Sequence, residues 1–118
     1  MSHLRTLTLV TIAIVLLATG AGAHHGWSGY DASKELTLDG VIKESGYEHP
    51  HGHVQLEAPG KTWKVTLAPP SRMENRGLSA AMLKPGTKAR VVGYPNRTDP
   101  SEMRAERIII DGKTTELR

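Results

Sequence analysis

From residue 35 onward, apolar positions recur mostly at every second residue, the period of a half-buried β-strand. Leu36, Leu38, Val41 and Ile42 fall within residues 35–45, with Asp39-Gly40 expected as a bulge or bend. Val54 and Leu56 alternate with Gln55 and Glu57 and predict a second strand. Pro59-Gly60 marks a tight turn, and Trp63, Val65 and Leu67 then carry a third strand. Pro69-Pro70 ends it. Ser71 followed by Glu74 has the spacing of a capping box and predicts a short helix interrupted at Gly77, with a second turn over 78–83. Val91 and Val92 place a fourth strand at 87–94, and Ile108-Ile109-Ile110 a fifth at 104–111.

The predicted order is strand, strand, strand, helix, strand, strand. It is the element order of an OB-like Greek-key barrel: all-β, five-stranded, with one short helix. A small sandwich or half-open barrel built from the same elements is the alternative.

Residues 1–23 follow another pattern. His3 and Arg5 precede an apolar run from Leu7 to Ala18, and Ala21-Gly22-Ala23 follows. A basic start, about a dozen apolar residues and an Ala-x-Ala end predict a secretory signal peptide cut after Ala23. The run is shorter than the ~20 residues of a membrane span. The expected domain is therefore 24–118, opening with an irregular arm at 24–34, and the expected compartment is the periplasm or the cell exterior. The absence of cysteine excludes a disulfide scaffold, a zinc ribbon and a thiolate nucleophile. A net charge of +3, or +2 once Arg5 is set aside, is too mild to argue for nucleic acid.

The chain resembles a family of small secreted bacterial proteins, domain of unknown function 6152. The likeness rests on Ala23-His24-His25-Gly26-Trp27, Leu38-Asp39-Gly40-Val41-Ile42, Pro50-His51, Trp63, Pro70, Arg76-Gly77-Leu78, Leu83-Lys84-Pro85-Gly86 and Asp111-Gly112. It implies an exported, OB-like single domain and brings no settled biochemical role. Two departures concern histidine: His49 stands where the family usually has Asn, and His53 where an apolar or aromatic residue is common.

Candidate chemistry lies in those histidines. Beyond the signal there are two clusters, His24-His25 and His49-Pro50-His51-Gly52-His53. If 49–53 is extended, its rings share one face at about 6.5–7 Å spacing. Cleavage after Ala23 would give His24 a free amine, and amine plus imidazole form a bidentate chelate. With His51 or His53 added, the set is all-nitrogen and suits Cu(II); Zn(II) and Ni(II) are alternatives. The competing reading of both clusters is plain solvated loop. Glu48 and Glu57 fit oxygen ligands or, more simply, a solvated strand face.

Met82 reads as core packing, as does Trp63 from its place in the alternation. No nucleophile elbow, phosphate loop or paired-carboxylate motif is present, so the expectation is a binding protein rather than an enzyme. Two functions stay open. One is an exported copper-binding protein. The other is an OB-type module holding a protein, peptide or glycan of the envelope without metal. Export argues against nucleic acid as a partner.

Overall fold

The computed structural model describes residues 26–118. The signal segment and its cut, together with His24 and His25, lie outside the described residues. Six strands and one short helix follow the arm: β1 (Leu36–Gly46), β2 (His53–Ala58), β3 (Lys61–Thr66), α1 (Pro70–Asn75), β4 (Lys88–Pro95), β5 (Glu102–Ile110) and β6 (Lys113–Glu116). No helix among the described residues is long and apolar enough to cross a membrane.

The long first strand organises the barrel. Its first half, Leu36 to Val41, pairs antiparallel with β4, and its second half, Val41 to Gly46, pairs antiparallel with β2. β2 and β3 form a hairpin whose turn places Gly60 at a φ of +87°, a conformation glycine adopts without steric cost. β4 and β5 pair antiparallel, and β3 joins β5 in parallel through Lys64–Glu102, Val65–Met103 and Thr66–Arg104. That parallel contact closes the sheet on itself, which is the OB barrel.

The apolar alternation fills the inside. Ile42, Val54, Leu56, Val65, Val91, Met103 and Ile108 are at most 1% exposed, and Met73, Leu78 and Leu83 from the α1 region pack into the same core. Trp63 and Met82 are partly buried against that core, as their sequence positions predict.

Four local expectations change. The β1 irregularity falls between Ile42 and Glu44, not at Asp39-Gly40. Gly40 is required for a different reason: a Cβ there would overlap the Glu57 carbonyl as β1 passes from β4 to β2. Ser71 does not cap the helix. Pro70 begins it, with no side-chain cap, because its fixed φ and missing N–H suit the first helical position. The second turn expected over 78–83 is a 3-10 segment confined to Ala80–Leu83. Finally, β6 adds a sixth strand. Asp111 and Gly112 both have positive φ (50° and 74°), the geometry of a two-residue hairpin turn, and return the chain along β5.

The arm is fastened rather than loose. Residues 27–29 form a 3-10 turn, Tyr30 bridges Asn96, the Asp31 amide donates to the Pro95 carbonyl (2.9 Å) and the Arg97 amide donates to the Gly29 carbonyl (2.9 Å). These contacts lay the arm against the connection between β4 and β5.

Candidate functional site

The segment 49–53 is not a straight extended run. The chain bends at His49 and Pro50, whose peptide bond is cis, and only His53 enters β2. Gly52 locks the middle by donating its amide to the Ala68 carbonyl (2.9 Å) while its carbonyl accepts from the Leu67 amide (2.8 Å). The three rings have different surroundings. His49 is exposed. The His53 ring lies over Gly46 of β1, so close that a Cβ on that glycine would overlap it. His51 is half-buried, with Nε2 3.4 Å from Nη2 of Arg104. Among the described residues, no group of three His, Asp or Glu side chains could hold a metal ion. Glu48 is exposed, and Glu57, also exposed, faces the Lys43 ammonium at 3.7 Å.

Arg104 leads to a site that residue patterns did not reveal. It sits in β5 between the core residues Met103 and Ala105, so its side chain emerges on the outer surface of the barrel. Yet the residue is only 6% exposed, because the arm covers it. Its guanidinium carbon lies over the Trp27 ring, 4.3 Å from the centre, and the Arg118 guanidinium lies 4.7 Å from the same ring. Such cation–π contacts strengthen when water is excluded. Trp27 meets Tyr30 and Tyr94 edge-on, with ring centres 6.5 and 6.1 Å apart.

Two carboxylates frame this aromatic group. Glu102 accepts from the Tyr30 hydroxyl (2.7 Å), the Thr66 hydroxyl (3.2 Å) and the Asn96 amide (3.3 Å). Glu106 accepts from the Tyr94 hydroxyl (2.7 Å) and faces Arg118 at 3.5 Å and Arg107 at 4.0 Å. Burial first, and then the Glu102 hydrogen bond, raise the Tyr30 pKa; for Tyr94 the Glu106 hydrogen bond is the leading cause of a rise. Desolvation lowers the Arg104 pKa, and the nearby positive charges of Arg72 and Arg118 lower it further, against an opposing contribution from Tyr30.

The last residues of the chain bring further arginines alongside. Arg72 of α1 donates to the Leu117 carbonyl (3.0 Å), and Arg76 donates to the carbonyls of Glu116 (2.7 Å) and Arg118 (3.1 Å). Arg72, Arg104 and Arg118 come from a helix, a strand and the chain end, 46 positions from first to last, so no local spacing in the sequence joins them.

OB barrels usually take ligands on the outer face of β2 and β3. Here that face carries His53, Gln55 and Glu57 on β2, paired with Thr66, Lys64 and Thr62 on β3. It offers polar groups and, apart from the His53 imidazole, no aromatic ring. Trp63 pairs with the buried Leu56 and packs on the core, with the Lys61 ammonium 3.8 Å from its ring centre. The aromatic surface is on the arm side instead.

Comparison with solved structures supports the fold. The structure of TiaS in complex with a tRNA and ATP matches at 18% identity and a TM-score of 0.51, covering 75% of this chain and 20% of that one. The Stn1–Ten1 complex of S. pombe matches at 17% identity and a TM-score of 0.50, covering 71% of this chain and 58% of that one. The chain thus spans only part of each of these two structures. No curated protein matches it in sequence. A family model described as "Family of unknown function (DUF6152)" does match, over residues 12–103, and the chain belongs to that family.

Proposed function

We propose that this protein is an exported binding module that takes a protein, peptide or glycan of the cell envelope on the arm side of its barrel, without turning it over. The observation that carries this reading is the placement of Trp27 beside Tyr30 and Tyr94, with Arg104 and Arg118 over its ring. Aromatic rings and guanidinium groups supply the adhesive chemistry of binding surfaces. With the His53 imidazole as its one aromatic ring, the β2–β3 face gives little purchase to a run of stacked bases. Export rests on the pattern of residues 1–23.

The test is a nuclear magnetic resonance titration of the processed protein with envelope glycan fragments, peptides and a single-stranded oligonucleotide. The expected result is saturable shifts at Trp27, Tyr30 and Tyr94 with an envelope ligand. Shifts confined to β2 and β3, or shifts only with the oligonucleotide, would overturn the reading.

A second reading is a Cu(II) site made by His24, its freed amine and His51 or His53, with His25 and His49 in reserve and Zn(II) or Ni(II) as other guests. The gathering of five histidines into two short stretches favours it. Arg104 beside His51 weighs against His51 as a ligand, because a bound cation would face the guanidinium at short range. Calorimetry and electron paramagnetic resonance of the processed protein with Cu(II) decide the matter. A nitrogen-ligated signal lost on adding one residue before His24 supports the amine site. An unchanged signal removes it.

A further inference from the structure

We infer that the arm-side face carries an oxyanion subsite, in which Arg118, seated over the Trp27 ring, binds a carboxylate or phosphate group of the ligand. The inference rests on the proposed binding module and names the chemistry of its anchoring group.

Arg104 and Arg118 lie over the same Trp27 ring, 4.3 and 4.7 Å from its centre, and Arg72 donates to the Leu117 carbonyl beside Arg118 (3.0 Å), so three guanidinium groups share one region. Like charges at this range repel, more strongly where water is reduced. Glu106 is the carboxylate that ion pairs of the described residues bring to Arg118, and it is shared with Arg107 and the Tyr94 hydroxyl. Arg72 is anchored by a backbone carbonyl, which satisfies a hydrogen bond without cancelling a full charge. Glu102, the other carboxylate of the aromatic group, is held by Tyr30, Thr66 and Asn96.

The geometry fits an anion. Arg118 has a side chain 54% exposed, so it is reachable from solvent. Trp27 lies under it and holds the planar group in place by its ring face. Arg104, deeper and covered, adds charge from below. A planar fork steadied on an aromatic ring is the arrangement that grips carboxylate and phosphate through paired hydrogen bonds. Glu106 would yield one edge of Arg118 to the incoming anion and keep its bond to Tyr94.

The probes are inorganic phosphate and acetate, titrated separately into the processed protein and followed by the Trp27 indole N–H and the arginine side-chain N–H resonances. Sodium chloride at matched ionic strength is the blank. The expected result is saturable shifts with one or both anions, weakened about tenfold in Arg118→Gln, as for loss of a charge-assisted hydrogen bond. Arg118→Lys should recover only part of the affinity, because it keeps the charge and loses the fork. Lys84→Gln, an exposed change elsewhere, should leave the titration unaltered. Phosphate-only saturation assigns a phosphorylated ligand, and acetate-only saturation a carboxylated one.

Linear drift equal to that in chloride overturns the inference. So does saturation that Arg118→Gln leaves unchanged. In either case, an envelope ligand that still shifts Trp27 leaves the binding module standing. If no ligand of any class shifts Trp27, the module itself fails.

Discussion

Gly93 on β4 stands so close to Arg104 on β5 that a β-carbon built on the glycine would overlap the Arg104 carbonyl oxygen. The register of the two strands shifts at this point, between Val92 and Gly93. The close approach thus falls at Arg104, the residue whose guanidinium lies over the Trp27 ring. Gly93→Ala must therefore push β4 and β5 apart. We expect a loss of about 1–3 kcal/mol or more in urea unfolding, the range for overpacking against a rigid neighbour. Gly29→Ala is the control, since nothing lies within 4 Å of a Cβ there. It should change stability by no more than about 0.5 kcal/mol. Equal effects of the two substitutions would contradict the packing argument.

Trp27 is expected to be structural as well as ligand-binding. It contacts two guanidinium groups and two tyrosine rings. Trp27→Leu keeps apolar bulk but removes the ring face and edge. The expected loss is about 1–3 kcal/mol, from cation–π and edge-to-face contacts together. Native-state hydrogen exchange should show faster exchange at Asp31 and Arg97, whose amides fasten the arm. Unchanged stability and unchanged exchange would mean that the arm is held by its backbone bonds alone.

How far the sequence foretells this depends on the element. The barrel strands are legible because one face of each must be apolar, and Val54, Leu56, Val65 and Val91 obey that rule without exception. β6 escapes notice because Lys113-Thr114-Thr115-Glu116 contains no large apolar residue; only Thr115 turns inward. The turn signal is nonetheless present in Asp111-Gly112, a pair suited to hairpins. The arginine cluster is not legible at all. Arg104 lies between two buried neighbours and reads as an ordinary outward strand position. Its covering comes from Trp27, 77 positions earlier, which only the closed fold brings near. Histidine clustering is legible as composition, but the bend at His49 and Pro50 and the clamp at Gly52 decide where the rings point.

The sixth strand yields its own prediction. Leu117, just past β6, is 1% exposed and belongs to the core, and its amide donates to the Glu106 carbonyl (2.7 Å). Leu117→Ala should cost about 2–5 kcal/mol, as for other buried leucines cut back to alanine. Glu116→Ala removes an exposed pairing with Arg107 and should cost less than about 1 kcal/mol. Thermal melts of both variants check the contrast. A tolerant Leu117 would mean that the chain end contributes nothing to the barrel.

The three tyrosines give a prediction in pH. All of them have pKa values raised above 10.0: Tyr30 chiefly by burial, Tyr47 by burial, and Tyr94 chiefly by its hydrogen bond to Glu106. A raised value means that the folded protein holds the phenolic proton more tightly than the unfolded chain does. The stability this contributes is fully present below pH 10.0 and is lost as the pH rises through the folded-state values. Absorbance at the phenolate band should therefore show a midpoint above 10.0 for the folded protein, with unfolding accompanying the later part of the rise. Glu102→Gln and Glu106→Gln remove the negative charge beside Tyr30 and Tyr94, and each should let its tyrosine ionise at lower pH. A titration centred at 10.0 in the folded protein, and unmoved by either substitution, would show that these carboxylates do not hold the tyrosine protons.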